Sequence, residues 1–201
     1  MPMTPGKRAL DLLIVLLLTC LLWPVVMVIA LVILIRDGRP IFFLSERMKS
    51  PDEAFMLVKF RTMTNEPDDG AASGGYKTAR ITPTGRVLRR YRLDEIPQLW
   101  NILRGDISFV GPRPPLRRYV EMFPALYGEV LRARPGLTGL ATLVYHRREA
   151  ALLDGCHTAA QSEAVYIRRC VPAKARLDLI YRRNRSVCYD LKLMVRTVMG
   201  R

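Results

Sequence analysis

Twenty-four consecutive uncharged residues, Leu12 to Ile35, nearly all of them apolar, dominate the hydropathy pattern of this chain. As one helix the run would reach about 36 Å at roughly 1.5 Å per residue, enough for a hydrocarbon core of about 30 Å. Pro24 falls near its middle. A proline there removes a helical N–H and crowds the carbonyl four residues earlier, so the pattern predicts a kink. Two halves bent apart at Pro24 would each be too short to cross, and the segment would enter and leave by one face as a re-entrant anchor. Lys7 and Arg8 precede the run and Arg36 and Arg39 follow it, which puts both ends on the cytoplasmic side by the positive-inside rule. A single tilted span that tolerates its proline is the competing reading. A cleaved signal peptide fits worse, because the apolar core is long and Arg36-Asp37-Gly38 makes a poor cleavage site.

Beyond the anchor the pattern shortens. Pro40 to Arg47 and Ala54 to Met63 are rich in aromatic and branched residues, with Lys49-Ser50-Pro51-Asp52 between them, and they predict a short β-hairpin. Asn65 to Ala79 has loop composition and contains the acidic pair Asp68-Asp69. Thr84 to Tyr91 and Asp94 to Leu103 are predicted helices, the second with Pro97 in its first turn, where a proline is tolerated. Leu116, Tyr119, Val120, Phe123, Tyr127, Val130 and Leu131 recur at helical spacing, interrupted at Pro124. Val187, Leu191, Met194 and Val198 repeat the pattern behind Ser186, a suitable N-cap. Such stripes pack by default on a core; next to a membrane anchor they also suit the bilayer surface. The resulting class is α+β and predominantly helical. Residues 1–36 form the re-entrant anchor, and 37–201 form one cytoplasmic catalytic domain lying on the membrane, a length that suits a single core.

Composition narrows the partners. A net charge of +14 cannot reside in the anchor, so the domain presents a basic surface to an anionic partner. Beside a membrane segment, anionic headgroups and phosphorylated substrates are favoured over nucleic acid. Cys20, Cys156, Cys170 and Cys188 show no paired spacing, and only His146 and His157 could join them. No zinc or disulfide framework follows, which fits a reducing setting.

The densest polar constellation runs from Arg89 to Gln98 and continues through Gly105-Asp106 to Gly111-Pro112-Arg113-Pro114. Asp94 and Glu95 could simply decorate an acidic first helical turn. Arg113, set between two prolines, has a restricted backbone and a guanidinium that can be pre-aimed at phosphate oxygens. Together these residues suit a carboxylate nucleophile that must approach an anionic diphosphate, with arginines and a divalent ion offsetting the repulsion. Hardness and phosphate chemistry point to magnesium. The Asp68-Asp69 pair is a weaker metal site because its glycine-rich setting is not preorganised.

Lys7-Arg8 with Asp11, KFRTM at Lys59 to Met63, RLDEIPQLWNILRGDISFVGPRP at Arg92 to Pro114, and PGLTG at Pro135 to Gly139 closely resemble the bacterial sugar transferases, the small monotopic phosphoglycosyl transferases. The resemblance implies transfer of a phospho-sugar from a UDP-sugar to polyprenol phosphate, usually undecaprenyl phosphate, with release of UMP. The place it implies is the cytoplasmic face of the bacterial inner membrane, at the first membrane step of glycoconjugate or exopolysaccharide synthesis. It implies Asp94 as the nucleophile, forming a covalent phospho-sugar intermediate and binding Mg2+, with Glu95 assisting. It further implies Arg89 and Arg113, with Lys59 and Arg61 of KFRTM, as substrate-binding groups, and a membrane break at Pro24. The larger members carry extra transmembrane helices, so a minimal catalytic unit is expected here.

The chain departs from its relatives late. Where many relatives follow PG-x-TG with a tryptophan and a polar A-Q-V-N-G-R stretch, it has Leu140 to Arg147, a change that bears on sugar specificity. Arg147 stands one place from the family's arginine and is taken as substrate-binding; His146, which could hold that position instead, is left out of the catalytic set. Trp23 precedes Pro24 where serine is frequent. Two other classes compete: a non-catalytic, basic, membrane-tethered protein that binds anionic lipid or nucleic acid, and an alcohol phosphotransferase of lipid synthesis. The first leaves the acidic pair beside a rigid GPRP turn unexplained, and the second usually needs several spans.

Overall fold

A computed structural model describes residues 3–64 and 80–199. The Asp68-Asp69 pair lies outside them. Helix α1 runs without interruption from Pro5 to Arg36, with Pro24 inside it. Thr4 caps it by accepting from the Lys7 N–H, and Pro5 sits at the start, where a missing N–H leaves nothing unpaired. Among the described residues it is the one helix long and apolar enough to cross a membrane. One face of each end is buried by the rest of the chain, at Lys7, Asp11 and Val15 and at Ile29 and Ile33, whereas Leu13, Leu17, Leu21, Trp23 and Met27 are more than half exposed. Each large apolar side chain gains about 1.5–3 kcal/mol on leaving water. The exposed middle is therefore a continuous apolar surface of the kind that suits lipid.

Both ends of α1 meet the same body. Near its start, Val15 packs with Ile102, Ile107, Val110, Tyr181 and Leu193. Arg8 donates to the Ile102 and Leu103 carbonyls at 2.6 and 2.7 Å. Near its end, Ile29 and Ile33 pack on Phe60 and Leu88.

The predicted hairpin is present. Strand β1 (Phe42–Met48) pairs antiparallel with β2 (Ala54–Phe60), in a register that sets Phe42 against Phe60 and Met48 against Ala54. The Phe42 and Phe60 rings stack with centroids 5.4 Å apart. Strand β2 stops at Phe60, short of Met63, which instead forms an isolated bridge with Ile81. Alternation along β2 buries Phe55 and Leu57 and leaves Met56 exposed.

Helix α2 (Pro83–Arg90) is capped by Thr82. The expected helix over Asp94 to Leu103 is divided: Leu93–Glu95 form a single 3-10 turn, and α3 spans Gln98–Arg104 with Pro97 as its N-cap. Proline cannot donate to a preceding turn, so the dyad and α3 cannot form one continuous ladder. Asn101 on α3 then acts as a piece of strand. Its Oδ1 accepts from the Val58 N–H at 3.0 Å and its Nδ2 donates to the Met56 carbonyl at 2.8 Å, which fixes α3 to the edge of β2.

A second, parallel pair joins two motifs far apart in the chain, β3 (Ser108–Val110) and β4 (Gly136–Thr138). The pairing continues past β3, where the Gly111 N–H donates to Thr138 O and the Gly136 N–H to Pro112 O, each at 2.8 Å. A Cβ on Gly111 would lie 2.1 Å from Arg134 O, and one on Gly136 would lie 2.1 Å from the Gly111 nitrogen. Only glycine permits this approach.

Helices α4 (Arg117–Met122) and α5 (Pro124–Val130) divide at Pro124 as predicted, and bury Tyr119, Val120, Tyr127 and Val130 in a core shared with Val171 and Ala175. Helix α6 (Leu140–Asp154), helix α7 (Ala159–Val165) and a π turn (Tyr166–Cys170) lead into α8 (Val171–Asn184). Helix α9 (Val187–Val198) begins behind Ser186, whose side chain accepts from the Tyr189 N–H at 3.1 Å. Of its predicted apolar stripe only Met194 packs on the core; Val187, Leu191 and Val198 are exposed, while Asp190 and Leu193 are buried. Asp190 turns inward because Lys7 is there to meet it.

Candidate active site

Arg92 adopts a left-handed conformation, φ 57°, between α2 and the 3-10 turn. This reversal presents Asp94 and Glu95 side by side on a single turn. Three cations converge on Glu95. Lys59 Nζ, from β2, lies 3.1 Å from Oε1; Arg113 Nη2, from the GPRP turn, lies 3.4 Å from the same oxygen; Arg92 Nη1 lies 3.5 Å from Oε2. Among the described residues, no lysine or arginine reaches ion-pair distance of Asp94.

The two carboxyls are driven in opposite directions. Burial raises the Asp94 pKa and the neighbouring Glu95 charge raises it further, against the pull of Lys59 and Arg89. Burial would raise Glu95 as well, but Arg113, Lys59 and Arg92 together bring it down to about 2. Adjacent carboxyls pushed apart in this way suit different roles. Lys59 is itself depressed by burial and by Arg113, with Glu95 opposing. Glu95 thus gathers the cations, while among the described residues none is ion-paired with Asp94.

Arg89 is held by a bond from Nε to Thr62 Oγ1 at 2.9 Å, and its charge is felt at Asp94. Arg61 points elsewhere. It is buried, and its guanidinium donates to the backbone carbonyls of Pro40, Asp37 and Gly38 at 2.5–2.7 Å, bracing the turn from α1 into β1. Arg147 is exposed on α6, one residue from His146, which faces a cavity of about 470 Å³ between α4, α6 and α8. Arg92 and Arg113 line the same cavity, so it opens beside the dyad.

The sequence reading did not single out Asn101, the pairing of the GPRP and PGLTG motifs, or the cavity itself. An asparagine on an otherwise apolar helix face was the available signal for the first.

Among the described residues, no group of three or more histidine, cysteine or acidic side chains could enclose a metal ion. Asp94 offers one oxygen-donor carboxylate, a set that fits a magnesium ion sharing its shell with substrate phosphates and water, as that ion commonly does.

A pair of carboxylates on one turn, three basic residues converging on it and one long apolar helix are what the described residues bring together. The chain belongs to the bacterial sugar transferase family, whose profile matches residues 3–200. A protein of Bacillus subtilis (strain 168), named as the uncharacterized sugar transferase EpsL, is 33% identical over 194 residues, covering 96% of this chain and 85% of its own length. The UDP-glucose:undecaprenyl-phosphate glucose-1-phosphate transferase of Caulobacter vibrioides is 36% identical over 198 residues, or 96% of this chain and 68% of that protein. The UDP-N-acetylgalactosamine-undecaprenyl-phosphate N-acetylgalactosaminephosphotransferase of Aeromonas hydrophila is 34% identical over 145 residues, 69% of this chain and 34% of that protein.

Proposed function

We propose that this protein transfers a sugar phosphate from a UDP-sugar to polyprenyl phosphate, undecaprenyl phosphate by analogy with the relatives named above, through a covalent intermediate on Asp94. The observation that carries the reading is the asymmetry of the dyad: three cations lie within ion-pair distance of Glu95 and, among the described residues, none within that distance of Asp94. An Asp94 oxygen attacks the phosphorus that bears the sugar, the bond from that phosphorus to the bridging oxygen breaks, and UMP departs with the electron pair. A phosphate oxygen of the polyprenyl phosphate then attacks the same phosphorus. The bond to Asp94 breaks, and polyprenyl diphospho-sugar leaves. Glu95 remains ionised and holds Lys59 and Arg113 where developing phosphate charge needs them. Asp94 together with substrate phosphate oxygens would hold Mg2+, which supplies charge neutralisation when bound.

The acceptor's tail stays in the bilayer, so the reacting domain must lie against it. A re-entrant α1 bent at Pro24 meets that need at the cytoplasmic face of the inner membrane. Its support is that Lys7 and Ile33, 26 residues and about 39 Å apart along an ideal helix, are both buried against the domain. A segment that crossed the bilayer would carry one of them to the opposite face.

The test is UMP release from a panel of UDP-sugars in the presence of undecaprenyl phosphate. Asp94→Asn preserves shape and removes the attacking charge, and should lower turnover by at least about 1,000-fold. Incubated with donor alone, the parent should acquire the mass of one phospho-sugar and Asp94→Asn should not. Near-parental turnover by a folded Asp94→Asn protein would refute the assignment.

A further inference from the structure

Asp178 on α8 lines the cavity beside the dyad and is only 7% exposed. Its Oδ1 is buried with no hydrogen-bond partner. The cation one helical turn earlier does not claim it. Lys174 Nζ instead bonds both oxygens of Glu149, at 3.1 and 3.0 Å, and the Tyr166 hydroxyl at 3.3 Å. Burial pushes the Asp178 carboxyl up to about 7, against the pull of Lys174. An orphaned buried carboxyl oxygen has lost its hydration without a replacement, a loss that a ligand with a well-placed donor can restore.

The cavity has two chemically distinct ends. Arg92 and Arg113 belong to the dyad end and suit phosphate. Glu149, Asp154 and Asp178 lie along α6 and α8 with Lys174, which is spent on Glu149, so acids outnumber cations there and a diphosphate is disfavoured. What fits among carboxylates is a neutral group rich in hydroxyl donors. A volume of about 470 Å³ lies within the usual range of ligand pockets, about 300–1,000 Å³. The phosphorus attacked by Asp94 is the one that bears the sugar, so the sugar is the neutral part of the donor tied most closely to the dyad.

Resting on the function proposed above, we propose that this cavity is the donor-sugar subsite, and that Asp178 accepts a hydrogen bond from a hydroxyl of the transferred sugar. The nucleoside lies outside it. Uracil presents one N–H and two acceptor oxygens and answers few of the carboxylates; the ribose brings two hydroxyls, fewer than a hexose, and inhibition by UDP separates the two.

The test compares the parent, Asp178→Asn and Thr142→Tyr, the last narrowing the same cavity from α6 in case the first fails to fold. Each is assayed for UMP release from UDP-glucose, UDP-galactose and their N-acetylamino counterparts, and for inhibition by UDP, which has no sugar. With the donor the parent uses best, both variants should lose about 10- to 100-fold in kcat/KM, while inhibition by UDP stays within about twofold. A deoxy analogue lacking the recognised hydroxyl should be poor for the parent and no poorer for Asp178→Asn. UDP inhibition weakened in step with turnover would place the nucleoside in the cavity and overturn the proposal. So would unchanged kinetics in folded variants, which would leave Asp178 a buried acid without a ligand. A parent that releases no UMP from any donor would overturn the underlying function, and this inference with it.

Discussion

Lys7 and Asp190, 183 positions apart, form a buried ion pair that joins the first turns of the apolar helix to the last helix of the domain. Val110 O, at the end of β3, accepts from Lys7 Nζ at 2.9 Å, and the Tyr181 hydroxyl lies 2.7 Å from Asp190 Oδ1. The anchor is therefore a structural part of the domain, and the strand leading to Arg113 is held by the same cluster.

Removing one member should expose that dependence. Lys7→Met leaves Asp190 buried without its cation and should cost about 3–5 kcal/mol. Lys7→Met with Asp190→Leu removes both charges and should recover much of the loss. Thermal unfolding in detergent measures each. Equal destabilisation by the single and double variants would mean that the pair does not act as a unit.

Activity should depend on pH through Asp94. The nucleophile must be ionised, so kcat/KM should fall as pH drops through its pKa, which burial and Glu95 place above the ordinary value of 3.8. Glu95, at about 2, stays ionised across that range and contributes no limb. In Glu95→Gln the neighbouring negative charge is gone and the Lys59 and Arg113 charges are released, both of which favour ionised Asp94. The acid limb should therefore move down by about one pH unit, on a lower plateau. A pH profile of UMP release reads this directly, and an unmoved limb would assign it to another group.

The glycines of the two paired motifs should separate sharply from an unconstrained one. Gly111→Ala drives a Cβ into Arg134 O, so β3 and β4 must part and Arg113 must shift with them. At least about 2 kcal/mol should be lost, with activity. Gly128 on α5 has nothing within 4 Å of an added Cβ, and Gly128→Ala should stabilise the protein by up to about 1 kcal/mol through helix propensity. Unfolding midpoints and UMP release on both variants check the contrast.

How far the sequence exposed this architecture depended on the range of each interaction. The β1–β2 hairpin and α9 were legible because alternation and an N-cap are written within a dozen residues. The β3–β4 pair was not, since three-residue strands carry no readable period and their pairing rests on backbone contact between Gly111 and Gly136. The dyad's residues were legible from their order, but the division of the turn from α3 at Pro97 was not. Arg61 stood among the substrate-binding groups through the resemblance of KFRTM alone; the three carbonyls it braces are not visible in a sequence. Asp178 escaped notice for the opposite reason, as a single acid on a mixed helix whose isolation arises only when α6 draws Lys174 toward Glu149.

The course proposed for α1 in the bilayer rests on the one face that is buried at each of its ends. Lys7 at the start and Ile33 near the finish contact one domain, while the side chains between them present apolar surface. If the helix bends at Pro24 within the membrane, Met3 and the hairpin tip at Asp52 share the cytoplasmic side. Replacing Pro24 with alanine restores the missing N–H and favours a straight helix, which must break one of its two attachments in order to span. Cysteines introduced at Met3 and at Asp52, in a protein whose four native cysteines are replaced, can be probed on intact cells with an impermeant thiol reagent. Both positions should be protected in the parent, and Pro24→Ala should bring partial labelling at Met3 together with reduced UMP release. Labelling of Met3 in the parent itself would show that the segment crosses the membrane, and that the contacts of Lys7 are lost in the bilayer.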